Sequence, residues 1–157
     1  MIMGVDPAWE KVRYVAVGGL TEVGFSLVAG LLLVVSHRGR GIVDVATGAV
    51  VARDRDEQGD WFDAARPAAV GIGPAAGEWI EVCGLAGGHL SDRTQDGWRL
   101  SVRADGVAAE HEAGRQEPFV VAETEGVRAA GFSDDGSTMI VAASLGVTFC
   151  RRRRQPG

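Results

Sequence analysis

Lysine is almost missing from this chain: Lys11 stands alone against fifteen arginines. Cysteine is nearly as rare. Cys83 and Cys150 are the only two, both in apolar strand-like surroundings and without the paired spacing of a zinc site. Buried, reduced thiols are expected there, and nothing requires an oxidising compartment. His37, His89 and His111 lie far apart, none with a second histidine or cysteine at ligand spacing, so no metal is expected and each reads as an exposed structural histidine. Long apolar runs are missing too. The longest, Leu27 to Val35, has nine residues, whereas a membrane-spanning helix needs about 20. Asp6 and Glu10 stand where a signal peptide would need a basic start and an apolar stretch, so the expected location is cytoplasmic. No stretch carries a sustained 3.6-residue apolar stripe, which excludes a helical bundle.

What is present reads as a globular chain. It has 157 residues, of which 46% are apolar and 24% charged, enough for one domain with a sizeable core over residues 1–157. The formal net charge is −5, but Arg151, Arg152, Arg153 and Arg154 carry +4 of it, leaving −9 on the remainder. An acidic body argues against a nucleic-acid surface and suits a basic protein partner. The arginine run at 151–157 reads as a disordered, solvated tail, with a phosphate or membrane contact as the alternative.

β signals fill the rest. Gly131-Phe132-Ser133-Asp134-Asp135-Gly136-Ser137-Thr138, followed by Met139-Ile140-Val141-Ala142-Ala143, is a hairpin: an aromatic strand end, a turn whose Asp and Gly tolerate positive φ, and an apolar strand. A diverged copy runs through Val23-Gly24-Phe25-Ser26 to Leu31-Leu32-Leu33-Val34-Val35-Ser36, whose unbroken apolar run predicts a strand buried on both faces. Ile42 to Val45 and Ala49 to Arg53 continue it as a meander with short links. Further strands are expected at 68–72, 78–83, 98–102, 119–122, 127–132 and 147–150, and a short helix opening at Asp6-Pro7, with Asp6 as N-cap. Glu110 to Glu117 reads as a loop or a helical turn. The acidic stretch from Asp54 to Asp63 reads as a surface loop.

Phe132-Ser133-Asp134-Asp135-Gly136 before an apolar strand resembles the inner hairpin of bacterial WD-repeat and related β-propeller blades. Ile42-Val43-Asp44-Val45-Ala46-Thr47-Gly48 resembles the third strand and outer turn of such a blade. Asp134 replaces the usual proline, Leu27-Val28-Ala29-Gly30 replaces a polar turn, and no Trp-Asp dipeptide closes a blade. The similar segments, 14–55 and 119–150, cover about half of the chain. At about 40–45 residues per blade, some three units fit, fewer than the four that close a ring. The strand pattern predicts an all-β antiparallel meander. The resemblance implies about three blade-like units: either a half-propeller completed by a second chain as a homodimer, or a partly open β-stack, or blade-like hairpins on another β-fold such as a sandwich or barrel. It implies a binding scaffold and no chemistry.

Few motifs suggest a reaction. Gly24-Phe25-Ser26-Leu27-Val28 and Gly131-Phe132-Ser133-Asp134-Asp135 miss the final glycine of a serine-nucleophile elbow, and Gly71-Ile72-Gly73 has no room for a dinucleotide-binding helix before Trp79. Asp54, Asp56, Glu57, Asp60 and Asp63 offer carboxylates for acid–base work or calcium, although they match no EF-hand; a solvated acidic loop is the simpler reading. Trp61 and Phe62 in that loop form either a contact hot spot or a cap folded back on the core. The candidate binding residues are Trp61, Phe62, Asp56, Asp60, Asp63, Arg38, Arg40 and His37. The expected protein is a bacterial-type, non-catalytic interaction module without a cofactor, for instance an immunity or antitoxin-like protein neutralising a partner. The rival is a small-ligand-binding protein or hydrolase that joins the 54–63 loop to His37, Arg38 and Arg40.

Overall fold

Apolar runs interrupted every few residues by polar, glycine-centred turns give strands and little else. The computed structural model describes residues 8–56, 59–114 and 118–153. In chain order the strands are β1 (Trp9–Ala16), β2 (Leu20–Phe25), β3 (Leu31–Ser36), β4 (Gly39–Asp44), β5 (Val50–Asp54), β6 (Phe62–Asp63), β7 (Ala68–Val70), β8 (Trp79–Glu81) and β9 (Cys83–Gly84). They continue with β10 (Trp98–Arg103), β11 (Gly106–His111), β12 (Phe119–Glu123), β13 (Val127–Phe132), β14 (Thr138–Ala143) and β15 (Gly146–Arg152). One 3-10 turn, Gly73–Ala75, interrupts them, and no α-helix occurs among the described residues. The fold is all-β.

The strands form four antiparallel sheets, ordered β5-β4-β3-β2-β9, β6-β7-β8, β10-β11-β12 and β1-β15-β14-β13. None closes into a barrel. Two sheets lie between others. In β3, Leu32 and Val34 pack towards β13–β15 while Leu33 and Val35 pack towards β6–β8. In β14, Ile140 and Ala142 face β2–β4 while Met139 and Val141 face β10–β12. A strand covered on both faces has no use for alternation, which is why both read as continuous apolar runs. Three apolar clusters therefore fill three sheet junctions, and none of the three joins β6–β8 to β10–β12. The count is four sheets where sequence length suggested about three units.

Both hairpins recognised in the sequence are present, β2–β3 and β13–β14, with Phe25 opposite Leu32 and Phe132 opposite Met139. The Asp135 carboxylate organises the second turn by accepting from the Ser137 N–H at 3.0 Å and from the Ser133 and Ser137 hydroxyls at 2.7 Å each. These donors hold its pKa below the usual range. Gly136 supplies the positive φ of +72°.

The ends of the chain differ from expectation. Trp9 and Glu10 belong to β1 rather than to a helix, because the chain pairs there with β15 and buries Trp9 against Trp98 and Phe132. Asp6 and Pro7, the proposed helix start, lie outside the described residues. Arg151 and Arg152 are strand residues rather than a disordered tail: Arg151 pairs with Glu10, Arg152 with Asp96, and the Arg153 N–H donates to the Ala8 carbonyl at 2.8 Å. Arg154 and residues 155–157 lie outside the described residues. Glu110 and His111 end β11 instead of opening a loop, and 115–117 also lie outside. Among the described residues no helix is long and apolar enough to cross a membrane.

Candidate functional site

The site is built where β4 and β5 run side by side. Gly39 starts β4 at φ +130°, and a Cβ there would sit 2.0 Å from the Asp54 carbonyl oxygen. Only glycine lets the two strands meet at this point. Cα partners across the pair are Arg40 with Asp54 and Gly41 with Arg53. Because side chains alternate, Arg40 and Ile42 share the face that meets β6–β8, and Gly41 and Val43 share the other.

On the first face, Arg40 is held by three groups. Its Nη2 donates to Asp54 Oδ2 at 3.1 Å, its Nη1 donates to the Val70 carbonyl, and its Cζ lies 4.6 Å from the centroid of the Trp61 ring. Asp54 also accepts from the Asp56 N–H at 2.9 Å. That N–H and the Arg40 guanidinium keep the Asp54 carboxyl below the usual aspartate range. Trp61 is only 9% exposed and belongs to the cluster of Leu33, Val35, Ile42 and Ile80.

On the second face lies an open groove of about 970 Å³. Residues 16–19, linking β1 to β2, form one wall; the β3–β4 turn and β5 form the other, above Val34 and Gly41. Glycines at 18, 19, 39 and 41 leave it unfilled, and the His37 ring lies against Gly19, where a Cβ would be 3.1 Å from its Cδ2. The rim carries His37, Arg38, Arg53 and Arg55, all exposed. Among the described residues no ion pair engages Arg38, Arg53 or Arg55.

The structure gathers His37, Arg38 and Arg40 at the groove with Arg53, Asp54 and Arg55, and from the 54–63 stretch Asp54 and Trp61 contact Arg40. Arg53 and Arg55 escaped sequence reading although the Arg53-Asp54-Arg55 alternation at a strand end was visible. Asp54 is itself a strand residue and so are Phe62 and Asp63, which shortens the expected loop from both sides. Of the two roles considered for the loop aromatics, Trp61 takes the packing role, with half-buried Phe62 edge-on at 6.1 Å. Asp56 and Asp60 are exposed, and Asp63 caps a turn by accepting from the N–H groups of Ala65 and Arg66 at 3.0 and 3.2 Å. Glu57 lies outside the described residues.

A second constellation repeats the first. Arg152 lies 4.5 Å from the Trp9 centroid, its Nη2 donates to Asp96 Oδ1 at 3.0 Å, and the same nitrogen donates to the Gly136 carbonyl at 3.3 Å. The Arg152 hydrogen bonds pull the Asp96 pKa down to about 2. Cys150 is fully buried, which pushes its thiol up to about 11, and half-buried Cys83 is raised by burial as well. Among the described residues no group of three or more His, Cys, Asp or Glu is placed to hold a metal ion. No protein-family model matches the chain, and no curated protein matches it.

Proposed function

We propose that this protein is a non-catalytic binding module, a propeller-like arc of four blade-like sheets whose basic groove holds an acidic, extended segment of a partner protein. The observation that carries the reading is the convergence of Arg38, Arg53 and Arg55 on one groove with no carboxylate engaging them among the described residues. A positive cleft on a chain of net charge −5 concentrates anionic groups there and repels them elsewhere. The 54–63 carboxylates suggest a basic partner, but of the described ones only Asp54 lines the groove, where it is paired with Arg40, whereas Arg38, Arg53 and Arg55 leave the groove cationic. Guanidinium groups pair with carboxylates through two parallel N–H donors, and the Val17, Val34 and Val50 side of the groove accommodates apolar side chains between the acids. An immunity or antitoxin-type role fits this chemistry, since occupying one acidic segment suffices to block a partner.

The test uses a fluorescein-labelled peptide of alternating Glu and Val, ten residues long, read by anisotropy. The parent binds it, and Arg53→Gln or Arg55→Gln each weakens binding by about tenfold or more, the usual range for losing one charge-assisted pair. Inorganic phosphate provides the small-ligand arm: saturable phosphate binding with no peptide affinity moves the function to a small anion. Peptide binding that both substitutions leave unchanged overturns the groove assignment.

A further inference from the structure

Arg53 and Arg55 flank a residue that points the other way. From the register of β4 and β5, Asp54 shares the Arg40 face and Arg53 shares the Gly41 face, where the groove lies. We infer that Asp54, gripped by Arg40 on the Trp61 ring, is a positioning residue that holds Arg53 and Arg55 in the groove from behind. The inference rests on the groove being the binding site, and it assigns a supporting role to Arg40 and Asp54, which line the groove's edge paired with each other, and to Trp61 beneath Arg40.

The grip has three independent anchors. Asp54 takes one hydrogen bond from Arg40 and one from the Asp56 N–H, so both of its oxygens are engaged. Arg40 is itself fixed by the Val70 carbonyl and by stacking on Trp61, and Trp61 is fixed by the apolar cluster beneath it. The anchor of the groove arginines therefore reaches into the core between two sheets. β5 is the edge strand of its sheet, bonded on one side only, to β4, so its end at Asp54 has this grip in place of a second neighbouring strand. Two arginines on a frayed strand end would have to be ordered whenever a ligand binds, and ordering each long side chain costs affinity.

Charge alone and positioning make opposite forecasts for Asp54→Asn. Removing a carboxylate next to a cationic groove makes the groove more positive, so an electrostatic role predicts tighter binding of the acidic peptide. Positioning predicts weaker binding, by about fivefold or more for two side chains that must be ordered again. It further predicts that the slope of log Kd against log salt stays at the parental value, because the cations that read the peptide are all still present, while Arg53→Gln lowers that slope. Arg40→Lys keeps the charge but loses the planar stack and the fork geometry, so it should weaken binding in the same direction. The double variant should be no weaker than the worse of the two, because both break one grip.

An independent readout needs no ligand. Backbone 15N order parameters at 53–55 should fall in Asp54→Asn from the rigid level of about 0.85 towards about 0.6, while those of β3 stay put. Tighter peptide binding by Asp54→Asn, or unchanged order at 53–55, overturns the inference. A parent that fails to bind the peptide, with loosening still seen at 53–55, removes the proposed function and leaves the positioning of the strand end intact. Should Asp54→Asn not fold, Arg40→Lys carries both measurements.

Discussion

Trp61 shows how one side chain can be read in two ways until its neighbours are known. It sits between carboxylates in the sequence, as a contact residue would, yet it fills space among Leu33, Val35, Ile42 and Ile80 and gives Arg40 a flat surface to lie on. Trp61→Ala should therefore act on folding first. Removing a buried tryptophan leaves a cavity worth about 3–5 kcal/mol, and chemical denaturation should show a midpoint shift of that order with an unchanged slope. A folded variant of parental stability would place the ring outside the core. Trp9 makes the same use of Arg152, so two tryptophans each cover a guanidinium whose N–H groups also pair with an aspartate. The Nε1 of both rings and the Nε of both arginines are buried without a hydrogen-bond partner.

At the scale of elements, the decisive feature is the pairing of β1 with β15, which fastens the first described strand to the last. At one end Arg151 pairs with Glu10 across the two strands, and Arg152 ties β15 to Asp96 in the turn before β10. The Asp96 pair has a pH signature. Its native pKa, about 2, is lowered from 3.8 chiefly by hydrogen bonds from Arg152. A carboxylate whose folded pKa is depressed stabilises the fold above its unfolded value and loses that contribution as pH falls through the folded one. Asp96→Asn should thus be less stable than the parent at pH 7, and the gap should close between about pH 4 and pH 2. Urea denaturation of both proteins at several pH values checks this; a gap that persists at pH 2 would place the effect elsewhere. Because the Asp96 side chain is 58% exposed, salt should narrow the gap as well.

The whole molecule is an open stack. Sheets β1-β15-β14-β13 and β5-β4-β3-β2-β9 are covered on both faces, while β6–β8 and β10–β12 each contribute one face to an apolar cluster. On the outer side of β6–β8 stands Trp79, 46% exposed and opposite in direction to core residue Ile80, with Arg66 over its ring. On the outer side of β10–β12, Arg99 and Glu110 form an ion pair at 2.8 Å. Both end faces carry both signs, Asp63, Glu81 and Arg66 around Trp79 and Arg99, Arg103 and Glu110 on the other, so a second copy is expected to meet the exposed Trp79 and the open ends of the stack. The expected homodimer gives a measurable outcome: sedimentation at twice the 16.5 kDa chain mass, reduced to a single mass by Trp79→Arg. A concentration-independent 16.5 kDa species in the parent removes the dimer.

Local chemistry made much of this legible in advance. The Asp135-Gly136 turn, its diverged partner and the continuous apolar runs of β3 and β14 follow from rules that span fewer than about ten residues, so an all-β antiparallel chain could be read directly. The acidic loop was readable only as a composition. Its ends belong to strands, because Asp54, Phe62 and Asp63 pair with partners that composition does not reveal. What tertiary structure alone decided is which faces cover each other. Glu10 reaches Arg151 across 141 residues, which turns a basic tail into a strand. Trp61 is drawn inward because β6–β8 stacks on β3 and β4. His37, Arg38, Arg53 and Arg55 meet the wall at 16–19 because two sheets are packed side by side. Alternation fixes the two faces of a strand from its own residues, but the neighbour that buries or exposes each face is chosen by packing between distant segments, and the groove exists only after that choice.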